Sequence, residues 1–123
     1  MAKYNKALKM KSKKEILSEY KTRKFKAGLF QIKNLSNGRI FIKQSQDLER
    51  AFNSDRFQLK AGMHSNAALQ QDWNTLGETT FEFSILDEYN AKDDITPAQL
   101  NNELAELLKM HKAELTATGV ILY

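Results

Sequence analysis

The sequence of 123 residues contains no cysteine and only one proline. Without cysteine the chain forms no disulfide, no zinc–cysteine site and no thiol nucleophile, which fits a reducing compartment. No apolar run approaches the ~18 residues of a membrane-spanning helix. Residues 1–26 are also too charged for the hydrophobic core of a signal peptide. We therefore expect one cytoplasmic domain, without a membrane partner.

Positive charge is concentrated at the start of the chain. Residues 1–26 hold ten of the nineteen Lys and Arg residues against only two acidic ones, Glu15 and Glu19, whereas acidic residues outnumber basic ones in the remainder. A basic arm on a mildly acidic body suggests attraction to a polyanion such as nucleic acid. A solvated tail that only keeps the protein soluble is the alternative. We expect residues 1–11 to form a flexible basic arm and residues 12–123 to form the domain.

Alternation of apolar and polar residues predicts three strands. The first two cover residues 28–33 and 39–43, and they flank Ser36-Asn37-Gly38, whose residues tolerate the positive φ of a tight hairpin turn. Residues 79–86 alternate in the same way and predict the third strand. The apolar tail, residues 119–123, predicts one further short strand.

Capping residues predict four helices. Ser12 and Glu15 form a capping box, Asp47 and either Ser65 or Asn66 precede apolar stripes, and Thr96 begins the last helix with proline next to it. The order of helix, hairpin, two helices, strand and helix predicts an α+β domain. We expect a small three-stranded, mainly antiparallel sheet packed by helices, with a core that includes Leu69, Trp73, Leu104 and Leu108.

Two short motifs begin and end the hairpin, and they carry a resemblance to a known family. They are Gly28-Leu29-Phe30 and Phe41-Ile42-Lys43, joined by residues 31–40. Three later stretches follow these two motifs along the chain and belong to the same ordered series: residues 60–66, 69–77 and 81–86. Together these stretches resemble the GIY-YIG nuclease family, which has Gly-Ile-Tyr at the first motif and Tyr-Ile-Gly at the second. The resemblance covers about half of the chain and implies a GIY-YIG-like fold.

The resemblance also implies where a nuclease site would lie. In the family, two tyrosines, an arginine, a histidine and a glutamate surround one divalent metal ion, so that phosphodiester cleavage has a base, an electrophile and a metal. In this sequence the tyrosine positions are Phe30 and Phe41, and the arginine position is Ala51. The histidine position one helical turn later is Asp55, and Lys43 replaces the glycine of the second motif.

Two further family positions fall later in the chain. His64 matches a histidine that some family members have. The metal-binding glutamate corresponds to Glu106 when the interior of the last helix is matched, and to Leu108 when the match runs backwards from Leu115. If any residue holds a metal ion, it is Glu106.

Each of these residues also has a purely structural interpretation. Phe30 and Phe41 are typical sheet aromatics, His64 precedes a helix and is expected to be solvent-exposed or capping, and Glu106 is expected on a solvated helix face. His111 lies on the leucine stripe and is expected at a half-buried core edge. The basic residues that would contact nucleic acid, or simply decorate the surface, are Lys9, Lys11, Lys13, Lys14, Lys43, Arg50, Arg56 and Lys60.

Three functions remain open from the sequence. The leading hypothesis is a catalytically inactive GIY-YIG nuclease-like domain that acts as a nucleic-acid-binding module without a cofactor. The second is an active DNA endonuclease that depends on magnesium or manganese and uses an atypical site of His64, Asp55 and Glu106. The third is a protein-interaction domain without nucleic-acid contact.

Overall fold

The computed structural model describes residues 26–123, so the predicted arm and the helix predicted from Ser12 lie outside it. The described chain forms β1 (Ala27–Asn34), β2 (Ile40–Ser45), α1 (Leu48–Ala61), α2 (Ala67–Leu76), a short 3-10 turn (Glu78–Thr80), β3 (Phe81–Tyr89) and α3 (Pro97–Ala117). The sheet has the order β2-β1-β3, and both pairings are antiparallel. The predicted α+β fold with a three-stranded antiparallel sheet is confirmed. None of the helices in this part of the chain is long and apolar enough to cross a bilayer.

The predicted hairpin forms around a compact turn. Gly38 adopts a φ of +78° and donates its N–H to the carbonyl of Asn34 at 2.7 Å. The buried Asn34 side chain accepts from the backbone N–H and the hydroxyl of Ser36. These bonds fix the register in which Lys33 faces Ile40 across the two strands.

Helix caps stand close to the positions that the sequence predicts. Asp47 accepts the N–H of Arg50 at 3.1 Å, and Asn66, rather than Ser65, accepts that of Leu69 at 3.0 Å. Thr96 and Gln99 complete both halves of the capping box of α3. Since a capping side chain stabilises a helix by ~0.5–2 kcal/mol, these residues set where each helix starts.

The sheet separates two apolar cores because successive strand residues point to opposite faces. The first core lies on one face, where Phe30 and Ile32 pack with residues of α1, α2 and β3, namely Leu48, Leu59, Leu69, Trp73 and Phe81. The second core lies on the other face, where Leu29 packs with Ile40 and Ile42 and with leucines of α3 that include Leu107, Leu108 and Leu115. The predicted core residues Leu69, Trp73 and Leu104 are buried, and Leu108 is partly buried against the second core.

The apolar tail does not form the predicted strand. It makes a single parallel bridge between Leu122 and Ile40, with two backbone hydrogen bonds to Ile40. Its last side chain instead provides the anchor: the Tyr123 hydroxyl donates to Asp72 at 2.6 Å and accepts from Asn34 at 2.9 Å. Burial, followed by the hydrogen bond to the Asp72 carboxylate, raises the pKa of Tyr123. The tail is therefore held by the side chain of Tyr123 rather than by a continuous series of backbone hydrogen bonds.

A close backbone approach explains the glycine at the start of β1. Gly28 has a φ of +154°, and a Cβ at this position would collide with the backbone carbonyl of Asp87 on β3. The pairing of β1 with β3 shifts register immediately afterwards, between Leu29 and Phe30. The irregular pairing thus requires a residue without a side chain.

We predict that Gly28→Ala lowers the free energy of unfolding by about 2 kcal/mol or more, because the methyl group adds a clash to a backbone conformation that itself costs roughly 1–3 kcal/mol for other residues. Urea denaturation measures this loss. The control is Gly38→Asn in the same hairpin, where no atom lies within 4 Å of the missing Cβ and asparagine tolerates the φ. Equal losses of unfolding free energy for the two variants would contradict the conclusion that the close approach of β3 requires glycine at position 28.

Candidate functional site

A buried ionic network lies where α1 crosses β2. Asp55, on α1, has a side chain that is 1% exposed. One of its carboxylate oxygens lies 2.8 Å from Nε2 of His64, and the other lies 3.4 Å from Nζ of Lys43 on β2. Both oxygens of the carboxylate are therefore engaged by side chains of the protein.

The backbone fixes the tautomer of the histidine. Nδ1 of His64 accepts the N–H of Asn66 at 3.0 Å, so the ring proton lies on Nε2 and is donated to Asp55. The His64 side chain is fully buried, and the ring of Phe41 contacts it edge-on with centroids 5.1 Å apart. Both ring nitrogens are thus occupied, and water has no access to the imidazole.

Gln70 on α2 holds the loop that carries His64. Its side-chain oxygen accepts the N–H of His64 at 3.0 Å, and its amide nitrogen donates to the carbonyl of Leu59 at 3.0 Å and to the side chain of Asn74 at 2.9 Å. Gln70 is not among the residues that the sequence predicts for the site. The signal for it was a polar residue one helical turn before the buried Trp73.

The burial of His64 corrects one expectation and supports another. The sequence predicts a histidine that is either solvent-exposed or capping. The expected exposure is wrong, because only 7% of the His64 surface is accessible to solvent. The local bond to the Asn66 N–H ahead of α2 agrees with the capping alternative. The residue is buried because Asp55, nine positions earlier, points inward from α1 and supplies the partner that a buried imidazole requires.

The two phenylalanines and the alanine at the family positions belong to the first core. Phe30 is fully buried, and its ring meets that of Phe52 at 5.0 Å between centroids. Phe41 and Ala51 are partly buried against the same cluster. The expected role of Phe30 and Phe41 as sheet aromatics agrees with these contacts.

Glu106 lies in a different layer from the buried network. It is exposed on α3, beside Tyr89 and Met110, whereas α3 packs on the face of the sheet opposite to Asp55 and His64. The expected solvated position of Glu106 is confirmed. Leu108, the alternative match, is partly buried against the second core. The structure thus brings Asp55, His64 and Lys43 together and leaves Glu106 apart.

The cationic residues that were expected to contact nucleic acid differ in their surroundings. Lys43 pairs with Asp55, Lys60 lies 3.6 Å from a carboxylate oxygen of Glu78, and the guanidinium of Arg56 lies over the Phe83 ring at 4.5 Å. Arg50 is exposed on α1. Four of the candidates fall outside residues 26–123: Lys9, Lys11, Lys13 and Lys14.

The donor set does not suit the divalent metal ion that the family implies. Magnesium and manganese require several converging oxygen or nitrogen ligands. Between residues 26 and 123, no three histidine or carboxylate side chains lie close enough to share an ion. The carboxylate of Asp55 is already held by a histidine and a lysine, and the phenylalanines offer no donor.

We predict that Asp55→Ala lowers the free energy of unfolding by about 2–3 kcal/mol, because it leaves the buried Nε2–H of His64 without an acceptor. Asp87→Ala is the matched control: Asp87 also bonds a histidine, His111 at 2.9 Å, but the two side chains are 38% and 23% exposed. Water replaces that bond, so the loss is expected to stay below about 1 kcal/mol.

Urea denaturation at neutral pH compares the two variants. Alanine has a higher propensity than aspartate both for a helix, at position 55 in α1, and for a strand, at position 87 in β3. A larger loss at Asp55 therefore reflects the buried network rather than local propensity. A loss at Asp87 as large as that at Asp55 would contradict the predicted importance of burial.

Known proteins support the fold and the family. No family model matches the chain. Over 82 residues it is 33% identical to Intron-associated endonuclease 1 of Enterobacteria phage T4, which corresponds to 67% of this chain and 33% of the phage protein. The chain therefore aligns with about a third of that relative's length.

Two solved structures resemble the chain over most of their own length. The catalytic domain of homing endonuclease I-TevI is 33% identical with a TM-score of 0.50, covering 66% of this chain and 87% of that one. A mutant form of the catalytic domain of intron endonuclease I-TevI is 32% identical with a TM-score of 0.50, covering 68% of this chain and 84% of that one. Because both the sequence and the fold match across these catalytic domains, the chain belongs to the GIY-YIG intron endonuclease family.

Proposed function

We propose that this chain is a catalytically inactive GIY-YIG nuclease-like domain that binds nucleic acid. The observation that carries the proposal is the identity of three residues at the family's reactive positions. Phe30 and Phe41 stand where the resemblance implies tyrosines, and Ala51 stands where it implies arginine. These side chains have no proton to transfer and no charge with which to stabilise a phosphate.

The buried network around Asp55 adds support for inactivity. Its carboxylate is engaged by His64 and Lys43, and the His64 ring is closed off from water. A general base must reach the nucleophile directly or through one water molecule. Neither Asp55 nor His64 meets that condition, and the residues do not suit a metal ion that would activate water instead.

The rate losses expected from the missing groups favour a loss of activity rather than an altered activity. Loss of one acid–base group slows a reaction by ~10²–10⁴-fold, and loss of one electrostatic stabiliser slows it by ~10²–10³-fold. Such losses are not additive within one cooperating site. Even so, losing two hydroxyl groups and a guanidinium together leaves little rate enhancement.

The active-nuclease alternative lacks one of its three parts. It requires Asp55, His64 and Glu106 in one site, whereas Glu106 lies in the layer on the opposite face of the sheet. Nucleic-acid binding draws its support from the relatives, which are named as endonucleases, and from the concentration of Lys and Arg in residues 1–26. A polyanion is the partner that such charge attracts.

We predict that the purified chain does not nick supercoiled plasmid with magnesium or manganese present, and that calorimetry detects no tight manganese binding. The physical reason is the absence of a base, an electrophile and a convergent ligand set. Reproducible nicking that disappears in Asp55→Ala or Glu106→Ala would overturn the proposed inactivity. Nicking that persists in both variants would be assigned to a contaminating nuclease.

We also predict that deleting residues 1–11 weakens binding to DNA and RNA and flattens its dependence on salt. The deletion removes four lysines, Lys3, Lys6, Lys9 and Lys11. Each phosphate that the protein no longer neutralises reduces the steepness of log affinity against log salt by about 0.7–0.9. Fluorescence anisotropy at several salt concentrations measures both quantities. Replacing the same four lysines with glutamine is the control for chain length.

Failure of the full chain to bind either polymer at low salt would contradict the binding proposal. The protein-interaction function would then be the remaining one. Binding that keeps its affinity and slope after the deletion would instead locate the contact on the folded domain rather than on the arm.

A further inference from the structure

One aromatic ring on α1 is exposed to solvent. The Phe57 residue is 66% exposed, and it is the only exposed aromatic residue between positions 26 and 123. The helix does not need this ring for its own packing, because α1 is anchored in the core by Leu48 and Leu59. A single exposed apolar side chain is ordinary in a protein surface, so its meaning depends on its neighbours.

Two of those neighbours carry positive charge. Arg50 and Lys60 are exposed on the same helix, seven positions before Phe57 and three positions after it. Residues at these spacings share one face of an α-helix, and the ten residue steps from Arg50 to Lys60 span ~15 Å along its axis. The outer stripe, defined as Arg50, Phe57 and Lys60, thus presents a flat apolar ring between two cations.

The carboxylates nearby do not cancel this arrangement. Asp55 points inward to His64 and Lys43, and Glu49, in the first turn of α1, lies about 100° round the helix from Arg50. Glu78 lies 3.6 Å from Lys60, with both side chains about half exposed. An exposed ion pair of this kind contributes little to stability, so Lys60 is able to exchange its partner for a phosphate.

We propose that the outer stripe binds single-stranded nucleic acid, with Phe57 stacked on an unpaired base and with Arg50 and Lys60 on the flanking phosphates. This inference rests on the proposed nucleic-acid binding and names the class of polymer. Alternation of stacking rings and cations is the arrangement that recognises single strands without sequence preference. A duplex covers the faces of its bases, so it offers the cations a partner but leaves the ring without one.

Fluorescence anisotropy with the full chain tests the proposal. The probes are a labelled oligothymidine and a labelled duplex of the same length. Phe57→Ala is expected to weaken single-strand binding by about 5–150-fold, the range for loss of one stacked base, and to leave duplex binding unchanged. Phe57→Trp is expected to retain single-strand affinity, because the stacking face remains.

Two controls separate stacking from other effects. Met110→Ala removes another exposed apolar side chain, 60% exposed on α3, and is expected to leave all affinities unchanged. Arg50→Ala is expected to reduce the salt slope by about 1, the value for one phosphate-binding cation, whereas Phe57→Ala leaves the slope unaltered. Quenching of an oligonucleotide's 2-aminopurine fluorescence by the wild-type chain, and its absence with Phe57→Ala, reports the stack directly.

The outcomes distinguish this inference from the function on which it rests. If the wild-type chain binds neither probe at low salt, the proposed nucleic-acid binding fails, and this inference fails with it. If the wild-type chain binds single strands and Phe57→Ala binds them equally well, only the stacking site is overturned. Phe57 is then an ordinary exposed apolar side chain.

Discussion

The central strand β1 is paired along both edges and covered on both faces, and the rest of the fold depends on that double constraint. Leu29, Phe30 and Ile32 are completely buried, yet they serve different cores because side chains alternate across a strand. A shift of one residue in the register would exchange the two sets. The hairpin turn at Asn34 and Gly38 and the bulge after Leu29 hold that register in place.

The candidate site is a consequence of the same alternation. Phe41 and Lys43 point to the face on which α1 and α2 pack, and Ile40 and Ile42 point to α3. Lys43 is therefore directed at Asp55 rather than at solvent alone. Removing either member of the buried Asp55–His64 pair is costly, because the other stays desolvated without its hydrogen-bond partner. We interpret the network as the element that fixes the His64 loop on α1.

Phenylalanine at the positions where the resemblance implies tyrosine is compatible with the proposed domain, which keeps the family's fold without its chemistry. Phenylalanine preserves the ring that packs in the first core, where Phe30 contacts Phe52, and it removes only the hydroxyl group. Ala51 likewise suits a partly buried position on α1. Family resemblance and the proposed loss of activity are therefore compatible, since the core and the reaction depend on different atoms of the same residues.

The sequence by itself determined the local structure. The alternation in residues 28–33, the Asn37-Gly38 turn and the capping residues Asp47 and Thr96 act over a few neighbouring positions, so their signals are visible without tertiary structure. The order of motifs from Gly28 onward indicated the family in the same way, because it is a property of spacing along the chain. The apolar tail was the exception among these local signals, since its alternation predicted a strand where only one bridge forms.

Only the tertiary structure decided which distant side chains meet. His64 and Asp55 are nine residues apart and Lys43 is twelve from Asp55, and no spacing rule joins a strand, a helix and a loop. The separation of Glu106 from this network likewise depends on which face of the sheet α3 covers. The exposure of Phe57 was equally invisible, because the helical stripe of α1 leaves several apolar residues as candidates for its buried face. The way in which α1 packs against the sheet decided which of these residues are buried and left Phe57 exposed.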